Sequence, residues 1–406
     1  MGELSARGLR ADESEAFFGV FSDAFLNDSL RSAAAGGLYG PTFRLERAHG
    51  VFDGDVMIGG TGRIEQEITV PGPAQCPLAA VTAVGVAPGN RRRGVLTALM
   101  RAQLDALHGN GTPIAALFAS EAGIYGRFGY GIASYESHLV VPRGAAFLPT
   151  VEVDDRRIRE VDREQGVEIA RARYSAVAAD RIGWLSRSDG SWEARVLDWP
   201  TVRSDLGAPR FAVHPDGYAI YRAKREWTPR GPAYQLHIAE LVATTPQAYA
   251  ALWRYLLDFD LVAEVHWRKA ALDEPVLGML ANPRAVDRRV LDALWVRLVD
   301  LDRALMTRRY AAPLDVVLDV TDRFCPWNEG RWRLRADASG SATATRTEDA
   351  GHVSLDITDL AAAYLGGSTL AALARSGRVV EHEPGTLVAT SRAFATDCAP
   401  HCQEGF

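Results

Sequence analysis

Hydrophobic positions between residues 81 and 107 change their spacing at one short basic turn. Before Pro88 the apolar side chains alternate, as they do in a β-strand, and after Gly94 they recur at helical spacing. The alternating positions are Val81, Ala83 and Gly85 on one face and Val84 and Val86 on the other; the helical positions are Val95, Leu96, Leu99, Met100, Leu104 and Leu107. The pattern therefore predicts a strand, a tight turn and an amphipathic helix.

The turn itself, residues 89–94, has the sequence Gly-Asn-Arg-Arg-Arg-Gly. Such a turn directs successive backbone N–H groups toward one point, where the dipole of the following helix is positive. Arg91, Arg92 and Arg93 add fixed positive charge. A multiply charged phosphate, and a pyrophosphate above all, suits this combination. A solvated basic turn in an α/β protein is the alternative interpretation.

Helices and strands alternate through the rest of the first 145 residues. We predict a helix over Glu13–Phe25, paired strands over Val51–Glu67 and a buried strand over Pro113–Phe118. The strand runs into residues 119–131, Ala-Ser-Glu-Ala-Gly-Ile-Tyr-Gly-Arg-Phe-Gly-Tyr-Gly, whose glycines permit sharp turns. Pro142–Pro149 indicates a boundary, so the first predicted domain covers residues 1–145.

Two further domains are predicted, over residues 146–290 and 291–406. The central one has a strand–helix–strand order, which indicates an α/β layer. The last one has strands followed by helices, which indicates a separate α+β domain. The central elements are Gln235–Val242, Gln247–Phe259 and Leu261–Trp267; the last part has strands at Leu314–Thr321, Arg331–Arg335, Ser341–Thr347 and His352–Ile357 and helices at Asp359–Tyr364, Thr369–Arg375 and Arg392–Thr396.

Composition narrows the class of protein. A chain of 406 residues with 47% hydrophobic and 24% charged residues is typical of globular proteins of more than one domain. The net charge of −6 argues against general binding to nucleic acid or an anionic membrane and is compatible with a cationic substrate. The charged N-terminal residues argue against a signal peptide, and no apolar run is long enough to span a bilayer, so we expect a cytoplasmic protein.

The cysteines do not form a disulfide framework, and ordinary reduced thiols are the simplest interpretation. Cys398, His401 and Cys402 are close enough in sequence to suggest a metal, but the cluster lacks a second half, so we expect no metal. The cysteines are Cys76, Cys325, Cys398 and Cys402.

The order of strand, Val-x-Val-x-Pro, Arg-x-x-Gly and helix resembles the acetyl-CoA signature of the GCN5-related N-acetyltransferases, the GNAT superfamily. Arg91 and Gly94 occupy signature positions, whereas Leu96 replaces the usual small residue. The resemblance implies that Val84 and Val86 offer backbone hydrogen bonds to the pantetheine arm, and that the turn from Arg91 to Val95 holds the pyrophosphate. The implied acetyl-CoA-binding set is Val84, Gly85, Val86, Arg91, Arg92, Arg93, Gly94, Val95 and Ser120.

Residues 119–131 narrow the resemblance. Together with Val-Ala-Pro-Gly-Asn-Arg-Arg-Arg-Gly at 86–94, His-Pro-Asp-Gly-Tyr-Ala-Ile-Tyr-Arg at 214–222 and a C-terminal Phe, they resemble the Eis family of actinobacteria. The resemblance implies a mixed α/β fold: an active N-terminal GNAT domain, a degenerate central GNAT domain and a sterol-carrier-protein-like α+β domain. The central domain has no Arg-x-x-Gly turn at the matching place, which predicts that it has no cofactor site.

Acetyl transfer needs an unprotonated amine, a polarised carbonyl and a proton for the departing thiolate. Tyr125 follows the strand that would flank the thioester, so its phenol is our candidate for the acid, with Tyr130 as the alternative and a merely structural tyrosine as the simpler interpretation. The resemblance implies that the carboxylate of Phe406 is the base. A free α-carboxyl has a pKa of about 3.5, so its first task is electrostatic, with proton relay through water. A frayed tail is the alternative.

The resemblance also implies a substrate with several amines, such as an aminoglycoside, and a hexamer built as two trimers. Asp28 and Glu404 are the candidate carboxylates, with Asp23 as a further possibility, although a solvated surface charge is the simpler interpretation for each. Phe25 and Phe118 are candidate pocket residues or ordinary core residues. The competing functions are protein lysine acetylation and a non-catalytic module that binds acyl-CoA or lipid.

Overall fold

A computed structural model describes residues 4–28, 42–196 and 206–406. The first part of the chain alternates strands with helices, as the hydrophobic pattern predicts. Its elements are β1 (Leu4–Gly8), α1 (Ser14–Phe25), β2 (His49–Asp53), β3 (Val56–Val70), β4 (Ala74–Val86), α2 (Val95–Gly109), β5 (Ile114–Phe118), α3 (Ala122–Tyr125), β6 (Gly131–Ile132) and β7 (Tyr135–Pro142).

The central part begins with a short strand and a long helix. Its elements are β8 (Arg159–Val161), α4 (Arg163–Ala178), α5 (Asp189–Val196), β9 (Arg210–His214), β10 (Gly217–Lys224), β11 (Trp227–Thr228), β12 (Gly231–Pro232), β13 (Tyr234–Ala243), α6 (Pro246–Leu257), β14 (Val262–Ala270), α7 (Pro275–Met279), β15 (Asp287–Asp292) and β16 (Leu294–Leu298).

The last part confirms the predicted strands and the first two predicted helices. Its elements are α8 (Leu301–Thr307), β17 (Leu314–Thr321), β18 (Gly330–Ala336), β19 (Ala342–Arg346), β20 (Val353–Asp356), α9 (Ile357–Tyr364), α10 (Leu370–Arg375), β21 (Val379–Glu381) and α11 (Thr386–Ala393). The helix predicted over Arg392–Thr396 was wrong. The observed helix, α11, begins earlier, after Gly385, and ends before Phe394, whose side chain is buried in the core.

The described residues form three main sheets. The first has the order β1-β2-β3-β4-β5-β16-β6, the second β15-β7-β14-β13-β10-β9-β8 and the third β19-β18-β17-β20-β21. Two strands leave their neighbours in sequence: β7 pairs with β14 in the second sheet, and β16 pairs with β5 in the first. The sheets therefore cross the boundaries predicted at residues 145 and 290.

A divergence between β4 and β5 opens the first sheet. The two strands are parallel and pair only from Leu78–Ile114 to Ala80–Ala116. Beyond Ala80, β4 continues along β3 and β5 continues along β16, and we call the unpaired region between β4 and β5 the cleft. The amphipathic helix α2 connects the two strands, and its apolar side chains, Leu99 among them, are buried against β2 and β3. Burial of each such side chain stabilises the fold by roughly 1.5–3 kcal/mol.

Candidate active site

The N-terminal end of α2 carries the basic turn. Gly94 is the N-cap with φ of +84°, a left-handed conformation that glycine adopts without steric cost. No described side chain caps this helix, so the N–H groups of its first turn face outward beside Arg91 and Arg92, which are exposed. Arg93 is exposed as well, and its Nη2 lies 2.9 Å from Asp53 Oδ2. An open helix end beside cations is an arrangement that favours an anion, so the predicted phosphate contact stays a prediction.

A bulge in β4 sets which backbone groups face the cleft. The register with β3 shifts there, and Ala83 has φ of +52°. After the bulge, the N–H of Ala87 donates to the carbonyl of Ile58 on β3 at 2.9 Å. Because strand hydrogen bonds alternate, Val84 and Val86 direct their backbone groups away from β3, toward the cleft. This orientation supports the predicted pantetheine contacts.

The other predicted acetyl-CoA residues lie near the same cleft. A Cβ on Gly85 would approach Ala24 of α1 at 3.1 Å, so Gly85 lies beneath that helix. Val95 is buried at the start of α2 and packs close to Gly59. Ser120 is exposed just after β5. Gly85 and Val95 therefore lie at buried positions beside the cleft, and Ser120 lies at the protein surface.

Tyr125 ends the short helix α3, which follows β5 closely. Its side chain is 6% exposed, and burial, with the charge of Glu121 as a smaller cause, raises the pKa of its phenol to about 12. The phenol is therefore protonated at neutral pH and is able to donate a proton. Tyr130 packs edge-on against it, with ring centroids 5.9 Å apart, but is fully buried and has no hydrogen-bond partner for its hydroxyl among the described residues. The greater accessibility favours Tyr125 as the acid.

The last residue of the chain lies against the end of β5. The Phe406 ring meets the Phe118 ring with centroids 5.1 Å apart and an interplanar angle of 62°. Residues His401–Glu404 are buried, so the tail is docked and the alternative of a frayed tail does not hold. The docked tail brings the terminal residue to the strand that precedes Tyr125.

Glu404 has a different environment from the one predicted. Its side chain is mostly buried, and its Oε1 accepts a 2.6 Å hydrogen bond from Arg187 Nε. Arg187 also pairs with the fully buried Glu240, with an Nη1–Oε1 distance of 3.1 Å. The Glu404 carboxylate is therefore satisfied inside the protein. Charge pairing explains this environment, because a buried carboxylate needs a cation, and the substrate contact of Glu404 stays a prediction.

The remaining predicted substrate residues lie on or after α1. Phe25 is 44% exposed and meets Phe21 with ring centroids 4.7 Å apart. Asp23 is exposed on α1, and Asp28, which follows the end of that helix, is exposed as well. Their accessibility is compatible with a substrate-facing role, which stays a prediction.

The central part repeats the strand–helix–strand arrangement, but its helix begins differently. The parallel strands β13 and β14 are connected by α6, as β4 and β5 are by α2. Thr245 caps α6 by accepting a 3.2 Å hydrogen bond from the N–H of Ala248, and Pro246 occupies the first helical turn without an N–H. The N-terminus of α6 therefore offers fewer free donors than that of α2.

Asp154, His214 and Asp216 bring three possible metal ligands within 4.8 Å of one another. Arg156 donates to both carboxylates, and the N–H of Asp216 donates to His214 Nδ1 at 3.1 Å. The neutral ring therefore carries its proton on Nε2, the nitrogen that faces Asp154 at 3.5 Å. A metal would need the lone pair at that nitrogen, so the geometry favours a carboxylate pair neutralised by arginine. In the described part of the chain, Cys398, His401 and Cys402 do not form such a group.

Three residues that the sequence patterns did not identify contact the tail or its ion pair: Arg187, Glu240 and Lys269. Lys269 Nζ donates to the backbone carbonyl of Glu404 at 2.6 Å. One signal was available for Glu240, because a charged residue inside a predicted strand of an α/β layer needs a partner if the layer buries it. For Lys269 and Arg187, which are far from residue 404 in sequence, no local pattern pointed to the contact.

Family models match the three parts of the chain. An acetyltransferase (GNAT) domain matches residues 5–133, a second acetyltransferase (GNAT) domain matches 183–315 and a sterol carrier protein domain matches 301–403. With the diverging strands and the open helix end, these matches define a GNAT N-acetyltransferase. They confirm the predicted fold class, two GNAT folds followed by a sterol-carrier-protein-like domain.

Full-length relatives narrow the class. An uncharacterized N-acetyltransferase of Streptomyces avermitilis is 42% identical over 89% of this chain and 90% of the relative. N-acetyltransferase Eis of Mycobacterium tuberculosis is 31% identical over 86% and 85% of the two chains. The crystal structure of Eis1 from Mycobacterium abscessus superposes with a TM-score of 0.86 and 33% identity, covering 99% of this chain and 100% of that one. The chain belongs to the Eis family of GNAT N-acetyltransferases.

Among the described helices, none combines the length and the apolar character that crossing a membrane requires.

Proposed function

We propose that this N-acetyltransferase transfers the acetyl group of acetyl-CoA to amines of aminoglycoside-type polyamines. The observation that carries the proposal is the contact between Phe406 and Phe118. It brings the chain terminus to the end of β5, and Tyr125 follows on the helix that comes after that strand. A carboxylate and a protonated phenol at one cleft are the two proton-handling groups that direct acetyl transfer needs.

Acetyl-CoA fits the groups along the cleft. The open end of α2, with Arg91, Arg92 and Gly94, suits the pyrophosphate, because N–H groups and cations converge there. The free backbone groups of Val84 and Val86 suit the amides of the pantetheine arm. The thioester would then lie between the diverging strands β4 and β5.

The reaction would proceed by direct transfer. The amine lone pair attacks the thioester carbonyl carbon, and the ammonium that forms passes its proton to the Phe406 carboxylate, directly or through water. The C–S bond then breaks and the sulfur takes a proton from the Tyr125 hydroxyl. Burial favours this assignment of the acid, because it raises the pKa of the phenol to about 12 and keeps the proton available.

Charge supports the substrate class. The chain has a net charge of −6, and Asp23 and Asp28 are exposed on and after α1. A polyamine gains from several carboxylates at an open mouth. Protein lysine acetylation is the alternative within the same chemistry, and a non-catalytic module that binds acyl-CoA or lipid is the alternative outside it.

The test mixes the purified protein with acetyl-CoA and either a panel of aminoglycosides or a lysine-containing peptide, and follows release of free thiol. Drug-dependent release above one equivalent supports a polyamine substrate with several acetylated amines. Release with the peptide alone favours protein acetylation. Acetyl-CoA binding without release from any amine supports the non-catalytic module and contradicts the proposal.

We also propose, from the family resemblance, that the chain assembles as a hexamer of two trimers. Sedimentation equilibrium of the purified protein tests this state, and a monomeric mass over the working concentration range contradicts it.

A further inference from the structure

The C-terminal tail (residues 397–406) is hydrogen-bonded by the central part of the chain. The N–H of Ala399 donates to Asp273 Oδ2 at 2.8 Å, and the N–H of His401 donates to the carbonyl of Ile182 at 2.9 Å. Gly183 permits this approach, because a Cβ there would lie 2.5 Å from the His401 carbonyl oxygen. The tail therefore leaves the C-terminal domain after α11 and packs along the central part of the chain.

A buried ion network holds the tail near its end. Arg187 binds Glu404 and Glu240 together, and its guanidinium stacks on the Tyr174 ring at 3.6 Å from the centroid. Tyr218 donates a hydrogen bond to Glu240 as well. With its carboxylate held inside the protein, Glu404 provides a rigid anchor two residues before the terminus.

Lys269 connects this anchor to the site. Its Nζ donates to the Glu404 carbonyl at 2.6 Å and lies 4.8 Å from the centroid of the Phe118 ring, the same ring that Phe406 contacts. A Cβ on Gly405 would lie 3.1 Å from this ammonium. The Lys269 ammonium of β14 therefore contacts both the tail and the aromatic ring at the end of β5.

We propose that Lys269 is a positioning residue, which holds the Phe406 carboxylate at the acetyl-transfer site from the central part of the chain. This inference rests on the proposed role of that carboxylate as the base. It also gives the central GNAT fold a role, because that fold supplies the contacts that order the terminus of the chain.

The first test is hydrogen exchange of the full chain, which needs no turnover. We compare Lys269→Met with Lys269→Arg, which keeps the charge, and with Arg268→Met, which removes the neighbouring exposed cation of β14. Exchange in residues 399–406 should accelerate about tenfold or more in Lys269→Met, the factor expected for loss of one charged hydrogen bond. It should stay unchanged in Arg268→Met and be largely restored in Lys269→Arg. Unchanged exchange in Lys269→Met overturns the inference.

The second test is thiol release with tobramycin as the acceptor, with and without a short C-terminal extension. Lys269→Met should lower kcat about tenfold or more and leave the acetyl-CoA Kd unchanged, because the carboxylate is misplaced and the cofactor cleft is not. In the extended chain, where the carboxylate is already displaced, Lys269→Met should have no further effect.

The outcomes separate the two proposals. Suppose that the extension lowers kcat strongly. If Lys269→Met then leaves kcat unchanged, or lowers it by the same factor in the native and the extended chain, the positioning role is overturned and the Phe406 carboxylate remains the proposed base. If the extension leaves turnover unchanged, the base fails, and the positioning role falls with it.

Discussion

Arg297 donates a 2.5 Å hydrogen bond to Asp322, and both side chains are buried. Arg297 lies on β16, in the first sheet, whereas Asp322 directly follows β17 of the third sheet. The Arg297 guanidinium also lies against Gly129, in the segment that leads from Tyr125 to β6. The pair therefore joins the C-terminal domain to the segment that carries the proposed acid.

Loss of this pair should be costly. Asp322→Ala leaves a guanidinium buried without its partner, which destabilises a protein by about 3–5 kcal/mol. Asp315→Ala is the matched control, because Asp315 pairs with Arg333 at the surface, where such pairs contribute about 0–1 kcal/mol. Thermal unfolding should show a much larger decrease in Tm for Asp322→Ala than for Asp315→Ala. Equal decreases in Tm contradict the prediction.

Tyr125→Phe should lower kcat by about 10²–10⁴ and leave the acetyl-CoA Kd unchanged, because it removes a proton donor and little else. Tyr130→Phe is the control and should be nearly neutral, since its hydroxyl has no partner among the described residues. Steady-state kinetics and calorimetric titration measure the two quantities. Equal losses of kcat in both variants contradict the assignment.

The raised pKa of Tyr125, about 12, also has a consequence for stability. Its unfolded value is near 10, so its contribution is fully present below pH 10 and is lost as the pH rises toward 12. Chemical denaturation across this range should show a steeper alkaline loss for wild type than for Tyr125→Phe. Parallel curves contradict the prediction.

Changes at the basic turn should weaken acetyl-CoA binding with little effect on kcat. Gly94→Ala places a side chain at φ of +84° and costs roughly 1–2 kcal/mol, which disturbs the donors at the start of α2. Arg91→Ala removes a cation from the same end and should raise the KM for acetyl-CoA more at low salt than at high salt. Arg143→Ala, a surface change on the loop after β7, serves as the control. A KM that does not respond to either change at the turn argues against this phosphate site.

Acid should loosen the tail through His401. Burial lowers the pKa of this imidazole to about 4, and its Nε2 donates to the Lys269 carbonyl at 2.8 Å. The unfolded pKa is near 6.5, so stability is complete above that pH and is lost as the pH falls toward 4, by at most roughly 1.4 kcal/mol per pH unit. Denaturation between pH 4 and 7 should show this loss in wild type and a smaller one in His401→Gln. The same slope in both proteins contradicts the prediction.

Local patterns were sufficient for much of the fold, including the basic turn that precedes α2. The change from alternating to helical spacing around residues 89–94 predicted β4, the turn and α2, because each depends on neighbours in sequence. The missing turn before α6 was visible for the same reason. The helix predicted over Arg392–Thr396 failed because its true start depends on Gly385, a position outside the pattern considered.

The sequence by itself therefore determined the order of the domains, the basic turn and the aromatic residues near it. Only the tertiary structure decided that β7 joins the second sheet and β16 the first, that Glu404 pairs with Arg187, and that Lys269 reaches the tail. The physical reason is the separation in sequence between the residues that interact. Turns, caps and periodicity arise from residues a few positions apart. Strand pairing between distant parts of the chain, and charge pairing across more than a hundred residues, form only when the whole chain packs.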